Sequence, residues 1–262
     1  MGDIARCSLG KPGEFYSEEL LYQMFGVNAE LLIDHAWGYE PCTIAQIRAY
    51  KPQSSSLGCG QVLHCPYTAD KARIVVQEMI DGISLELVEK RLVTDQLVLT
   101  VGYDIENLTR PEIRKVYKGP VTTDRYGRRV PKHAHGTWNL PRATSSSSEL
   151  LEAMAALYDK IVNPALLIRR MSLSACHVVN EKMAKEREQK ETFEQLELFT
   201  DYAKKEAKEK EEQKKRERER RMQEALLTIK KKYGKNAVLR GMNFEEGATA
   251  KERNGQIGGH QA

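Results

Sequence analysis

The stretch Thr94-Asp-Gln-Leu-Val-Leu-Thr-Val-Gly-Tyr103 constrains this chain more than any other. Leu97, Leu99, Val101 and Tyr103 alternate with Val98, Thr100 and Gly102. That two-residue period belongs to a strand with one face better buried than the other. The stretch is rich in β-branched residues and ends at a Gly-Tyr-Asp turn signal. Residues 54–179 arrange around it as two strand–helix–strand halves of one small sheet.

Upstream, Leu57 to Cys65 reads as a strand that contains Gly58 and Gly60. Glycines there mark either a bulge or close approach by another backbone or a ligand. Ala69 to Lys90 reads as an amphipathic helix whose stripe is Ala72, Val76, Met79, Ile83 and Leu87. Downstream, Gly136 to Leu140 is a short strand, with Trp138 and Leu140 facing in and Thr137 and Asn139 facing out. Ser146 and Glu149 form a capping box for a helix to about Val162. The last strand runs from Ile168 to about His177, with Met171, Leu173 and Ala175 inward and Arg170, Ser172 and Ser174 outward. The fold class is therefore α+β, a ferredoxin-like βαββαβ module with two helices on one face and the other face open.

Between Asp104 and His135 lies a long basic excursion with a turn at Asp124-Arg-Tyr-Gly127. Arg110 to Arg142 holds nine Lys/Arg against two Asp/Glu. A net charge of +7 beside an open polar sheet face suits a nucleic-acid backbone. The face has no aromatic pair for stacking bases, which argues against the single-strand RNA-reading version of this topology. His133 and His135 have no third ligand nearby and are weak candidates for a metal site.

Residues 1–53 form a small helical unit. Ser17 to Phe25 reads as one helix and Gly26 breaks it. Asn28 is expected to cap a second helix running to about Ala36. Such a hairpin either merely packs or points N–H groups at a phosphate. Residues 180–262 form the third region. Glu181 to Lys232 holds 17 Lys/Arg and 14 Asp/Glu, the composition of a solvated helix or disordered tail. Within it, Gln195-Leu-Glu-Leu-Phe199 sets three large apolar side chains in a charged tether, the pattern of a docking peptide. The Gly-rich end, residues 241–260, is expected to be mobile.

No apolar run reaches 18 residues and no signal peptide is seen, so no membrane segment is expected. Five scattered cysteines without a C-x-x-C pair read as reduced thiols in a cytoplasm.

Ser-Leu-Gly-Cys-Gly-Gln (56–61), the strand Thr94–Tyr103, Gly-Thr-Trp-Asn-Leu-Pro-Arg-Ala-Thr (136–144) and Ile-Arg-Arg-Met-Ser-Leu (168–173) resemble the little finger of Y-family translesion DNA polymerases. The likeness is greatest to the UmuC/DinB-like enzymes of Gram-positive bacteria. Residues 1–53 resemble the second half of their thumb, with its helix-hairpin-helix element at Gly26-Val-Asn-Ala. Gln195–Phe199 is similar to that family's sliding-clamp-binding peptide, Q-L-x-L-F.

The resemblance implies DNA repair by error-prone, SOS-type lesion bypass in the bacterial cytoplasm, at the nucleoid. It implies template–primer contacts by Gly58, Gly60, His135, Thr137, Arg142 and Arg170, with Arg125, Arg128, Arg129 and Lys132 adding charge. Gly26, Val27 and Asn28 would donate to a primer phosphate, and Gln195, Leu196, Leu198 and Phe199 would dock on the replication clamp. The family's palm and fingers, which carry its catalytic carboxylates and Mg²⁺, have no counterpart here, and two-metal phosphoryl transfer needs such a set. The chain is therefore expected to lack catalytic residues, metal ligands and cofactors of its own, and not to polymerise DNA alone. It reads as a truncated product, a fragment begun at an internal Met, or half of a split gene. In the last case a separately encoded palm would complete it. A remaining alternative is a non-enzymatic ferredoxin-like scaffold with a dimerising tail, though the tail lacks a sustained heptad.

Overall fold

The computed structural model describes residues 1–50, 55–124, 126–191, 202–257 and 260–261. They form two compact units, Met1–Gln53 and Ser54–Ala262.

The first unit has four short helices: α1 (Gly2–Ser8), α2 (Glu18–Phe25), α3 (Asn28–Ala36) and α4 (Ile44–Ala49). Its core is small, with Cys7, Leu21 and Ala29 buried and Ile4, Leu20 and Ile33 packed around them. Gly26 closes α2 at φ 59°, a left-handed geometry that favours glycine. The cap of α3 falls on Val27 rather than Asn28, and no side chain caps the helix. Asn28 is its first helical residue.

The second unit opens with β1 (Leu57–Tyr67), α5 (Ala69–Lys90) and β2 (Leu92–Tyr103). The excursion that follows is ordered: α6 (Glu106–Thr109), α7 (Pro111–Val116), then the hairpin β3 (Val121–Thr123) and β4 (Arg129–Pro131). It is pinned at its root by Asn107, which is fully buried. The Asn107 amide donates to the carbonyls of Asp104 and Leu167, both at 2.8 Å, and accepts from the Leu167 N–H at 2.7 Å. A buried amide with both donors and its oxygen engaged holds the excursion against the residue that precedes Ile168.

Then come β5 (Ala134–Thr144), α8 (Ser147–Ile161), β6 (Ile168–Cys176) and the two-residue β7 (Val179–Asn180). The main sheet has the order β1-β6-β2-β5, and each of its neighbouring pairs is antiparallel. The strands that α5 joins are thus parallel and separated by one strand, and the same holds for the strands that α8 joins. The architecture is mixed α+β around an antiparallel sheet.

Leu97, Leu99, Val101 and Tyr103 of β2 face the helices, together with Met171, Leu173 and Ala175 of β6. From α5, Ala72, Val76, Met79, Ile83 and Leu87 meet them at no more than 2% exposure. Each large apolar side chain so buried contributes about 1.5–3 kcal/mol. Both helices lie on this one face.

The tail is helical, one of the two expected forms, but it is docked, and the Gly-rich end is structured in part. After α9 (Glu181–Glu191), α10 (Tyr202–Tyr233) packs against α5. A 3₁₀ turn (Gly241–Phe244) and α11 (Ala250–Arg253) follow. The attachment is polar. Gln223, 2% exposed, donates to the Ser147 hydroxyl (2.8 Å) and the Ser145 carbonyl (3.0 Å). Glu219 accepts from the Ser148 N–H (2.8 Å) and from the Ser146 and Ser148 hydroxyls (2.7 and 2.9 Å), so it caps α8. Glu78 of α5 anchors the last segment by accepting from the Thr249 and Ala250 N–H groups (2.8 and 3.0 Å) and from Asn243 Nδ2 (2.7 Å). Gly247, at φ 101°, approaches α5 so closely that a Cβ there would lie 2.8 Å from Lys71 Cβ.

Candidate nucleic-acid interface

The face of the sheet away from α5 and α8 is organised in rows by strand register. One row runs Gly58, Ser174, Val98, Thr137. The next runs Gly60, Ser172, Thr100, His135. Cys176, Gln96 and Asn139 lie on one side of these, and Val62, Arg170 and Gly102 on the other. Strands about 4.8 Å apart give a four-strand row a width of roughly 14 Å. The rows contain no Asp or Glu.

The small residues have specific causes. A Cβ on Gly58 would lie 3.0 Å from Ser174 Oγ and 3.3 Å from the Leu173 carbonyl, so the strand packing is tight there and a side chain would need its neighbours to give by a few tenths of an ångström. Gly60 has only an ordinary 3.6 Å neighbour, and its bare backbone faces outward. Gly102 lies under Arg170, whose Cγ and Nε would be 2.6 and 2.8 Å from an added Cβ. Two cross-strand bonds orient donors on this face, Thr100 Oγ1 with His135 Nδ1 and Gln96 Nε2 to Asn139 Oδ1, both at 2.9 Å.

The cations divide into engaged and free. Arg128 binds Asp124, Arg110 binds Glu106, and Arg169 lies 3.8 Å from Asp104. Among the described residues, Arg129, Lys132 and Arg170 make no ion pair, and all three are exposed. Arg142 stands apart. It is half-buried and hydrogen-bonded to Glu149 at the start of α8. A register shift between Thr94 and Gln96 interrupts the pairing of β5 with β2 on the way to it.

Beside Arg170 is a cleft of about 890 Å³ between the β3–β4 hairpin and the sheet. Val62, Gly102, Tyr126, Arg128, His133 and Arg170 line it, along with Asp104, Glu106 and Asp124. The carboxylates are occupied. Asp104 caps α6 through the Glu106 N–H (2.8 Å), Glu106 holds Arg110, and Asp124 takes the Tyr126 and Arg128 N–H groups and Arg128 Nε. The Arg128 bonds hold the Asp124 carboxyl below its ordinary range. These acids do not fit a two-cation site. Among the described residues, no three His, Cys, Asp or Glu side chains converge as metal ligands.

In the first unit, the Gly26 N–H already donates to the Tyr22 carbonyl at 2.8 Å. Of the three expected phosphate donors, Val27 and Asn28 remain. Arg125 and the peptide of Gln195, Leu196, Leu198 and Phe199 lie outside the described residues. One feature of the face and one beside it carry no signal in the sequence. The role of Gly102 depends on register, and Tyr126 looked like a turn residue only.

No protein-family model matches this chain, and no curated protein matches it either. Among the described residues, no helix is long and apolar enough to cross a membrane.

Proposed function

We propose that this chain is the template–primer-binding portion of a Y-family translesion DNA polymerase. Its second unit would be the ferredoxin-like little finger, and Gln195–Phe199 would dock on the replication clamp. The observation that carries the reading is the acid-free rows of the open sheet face, which hold Gly58, Gly60 and the unpaired Arg170, together with the exposed, unpaired Arg129 and Lys132 in and just after β4. Small residues let a duplex backbone approach, hydroxyls and His135 offer hydrogen bonds, and the cations neutralise phosphates. Such contacts give little sequence preference and strong salt dependence. The split order of the strands, with each helix-linked pair separated by one strand, supports the finer fold label.

The test is duplex binding as a function of salt. Wild type should bind at low salt, and Arg170→Ala should lower the slope of log K against log[salt] by about 0.9, the value of one phosphate contact. Arg129→Ala with Lys132→Ala should lower it by about twice that. Binding indifferent to salt and to all three substitutions defeats the reading. Phe199→Ala tests the clamp peptide, and clamp affinity unchanged by it removes that part.

A second reading, that a separately encoded palm completes an active polymerase, draws on the first unit. That unit leaves Phe15, Tyr16, Val27, Trp37, Ile44, Ile47 and Tyr50 exposed, a large apolar surface for its size. Mixing the chain with the product of an upstream reading frame, nucleotides and Mg²⁺ tests it. Absence of primer extension removes it.

A further inference from the structure

The β3–β4 hairpin holds an aromatic ring where the sheet face ends. We infer that Tyr126 is a stacking platform for an unpaired nucleobase, so that the face takes duplex DNA and the hairpin tip takes the single strand that leaves it. The inference rests on the nucleic-acid reading of the sheet and adds a second subsite to it.

Four observations carry it. Tyr126 is 74% exposed, although an aromatic ring gains from burial. The described residues on either side of it are tied to Asp124. The Asp124 carboxylate accepts from the Tyr126 N–H at 2.9 Å, the Arg128 N–H at 3.0 Å and Arg128 Nε at 2.9 Å. The Asp124 N–H donates to the Arg128 carbonyl at 2.9 Å, and Gly127 turns the chain at φ 75°.

The ring is also half-covered. The Arg128 guanidinium carbon lies 5.0 Å from its centroid, a cation–π arrangement that occupies one face and leaves the other for a planar partner. Finally, Tyr126 and Arg170 line the same cleft, whose carboxylates are all engaged elsewhere. A base on the ring with its phosphate toward Arg170 satisfies both groups. Every base has a π-face, so the subsite is tolerant of sequence.

The experiment compares a blunt duplex with the same duplex carrying a short oligothymidine overhang, using the full chain and fluorescence anisotropy. Wild type is expected to prefer the overhang. Tyr126→Ala should lower overhang affinity about tenfold, leave blunt-duplex affinity unchanged and leave the salt slope unchanged, because stacking releases no counterions. Tyr126→Trp should restore the preference, with quenching of the added tryptophan when the overhang binds. Tyr126 is exposed and outside the core, so Tyr126→Ala should melt with wild type. If wild type binds both DNAs equally, or Tyr126→Ala weakens both equally or neither, the subsite is overturned while the sheet reading stands. If wild type binds neither DNA, the sheet reading fails and the subsite falls with it.

Discussion

Replacing Glu78 with alanine should detach the C-terminal segment from the second unit. Glu78 is 7% exposed in the middle of α5. Its Oε2 accepts from the Thr249 N–H (2.8 Å), the Ala250 N–H (3.0 Å) and the Thr249 hydroxyl (3.2 Å), and its Oε1 accepts from Asn243 Nδ2 (2.7 Å). A hydrogen bond to a charged group contributes about 1.5–3 kcal/mol, but four to one carboxylate do not add. Deleting one partner of a buried charged network costs about 3–5 kcal/mol in all. Water can reach the freed donors once the segment lifts, so we expect the lower end, about 3 kcal/mol.

In a unit of this size 1 kcal/mol moves Tm by about 2–4 °C, so Glu78→Ala should melt roughly 6–12 °C early by calorimetry. Limited proteolysis should cut within residues 236–256 before the sheet is attacked. Glu78→Gln keeps the shape but turns an N–H toward one donor, and should cost about 1 kcal/mol. A double-mutant cycle of Glu78→Ala with Asn243→Ala should show coupling of about 0.5 kcal/mol or more. A Tm within about 1 °C of wild type, with an unchanged cleavage pattern, refutes the anchoring role.

Other expectations follow from single sites. Gly102→Ala should leave Tm nearly unchanged yet weaken duplex binding as Arg170→Ala does, because the new Cβ must push Arg170 off the strand; normal binding would show that Arg170 does not need that course. Burial pushes the Cys59 thiol up to about 11, so at pH 8 a thiol reagent should label exposed Cys42 and Cys65 well before Cys59; prompt labelling of Cys59 contradicts its burial. Arg128 holds Asp124 below its ordinary range, so Asp124 favours the folded hairpin above its unfolded pKa. That contribution is lost as pH falls through the lower folded value, and amide exchange at residues 126–130 should accelerate there and not at neutral pH. Exchange in Asp124→Asn should be fast at every pH.

The central module was legible because its signals are apolar and periodic. The stripe on α5 and the alternation in β2 and β6 each name the buried face, and strand register follows once one face must be buried. The tail was not legible because it binds through polar groups. Gln223 and Glu219 in a charged segment and Thr249 in a Gly-rich one carry no periodic signal, and Glu78 looks like an ordinary surface residue of an amphipathic helix. Only a fold that brings donors to it makes a glutamate an anchor. Arg142 shows the same limit on the site. The resemblance makes it a template–primer contact, whereas the structure places it after a register shift and bonded to Glu149 of α8. Likewise, Gly26 gives its N–H to close α2, so the expected trio of phosphate donors is reduced to two.

The most direct test of the central proposal is amide chemical-shift perturbation of the full chain as duplex DNA is titrated in at low salt. The account expects shifts along residues 58–62, 98–102, 135–139 and 170–174 and at the hairpin, with α5, α8 and the docked tail silent. Perturbation confined to the helix-covered side, or none while binding is saturated, would contradict it.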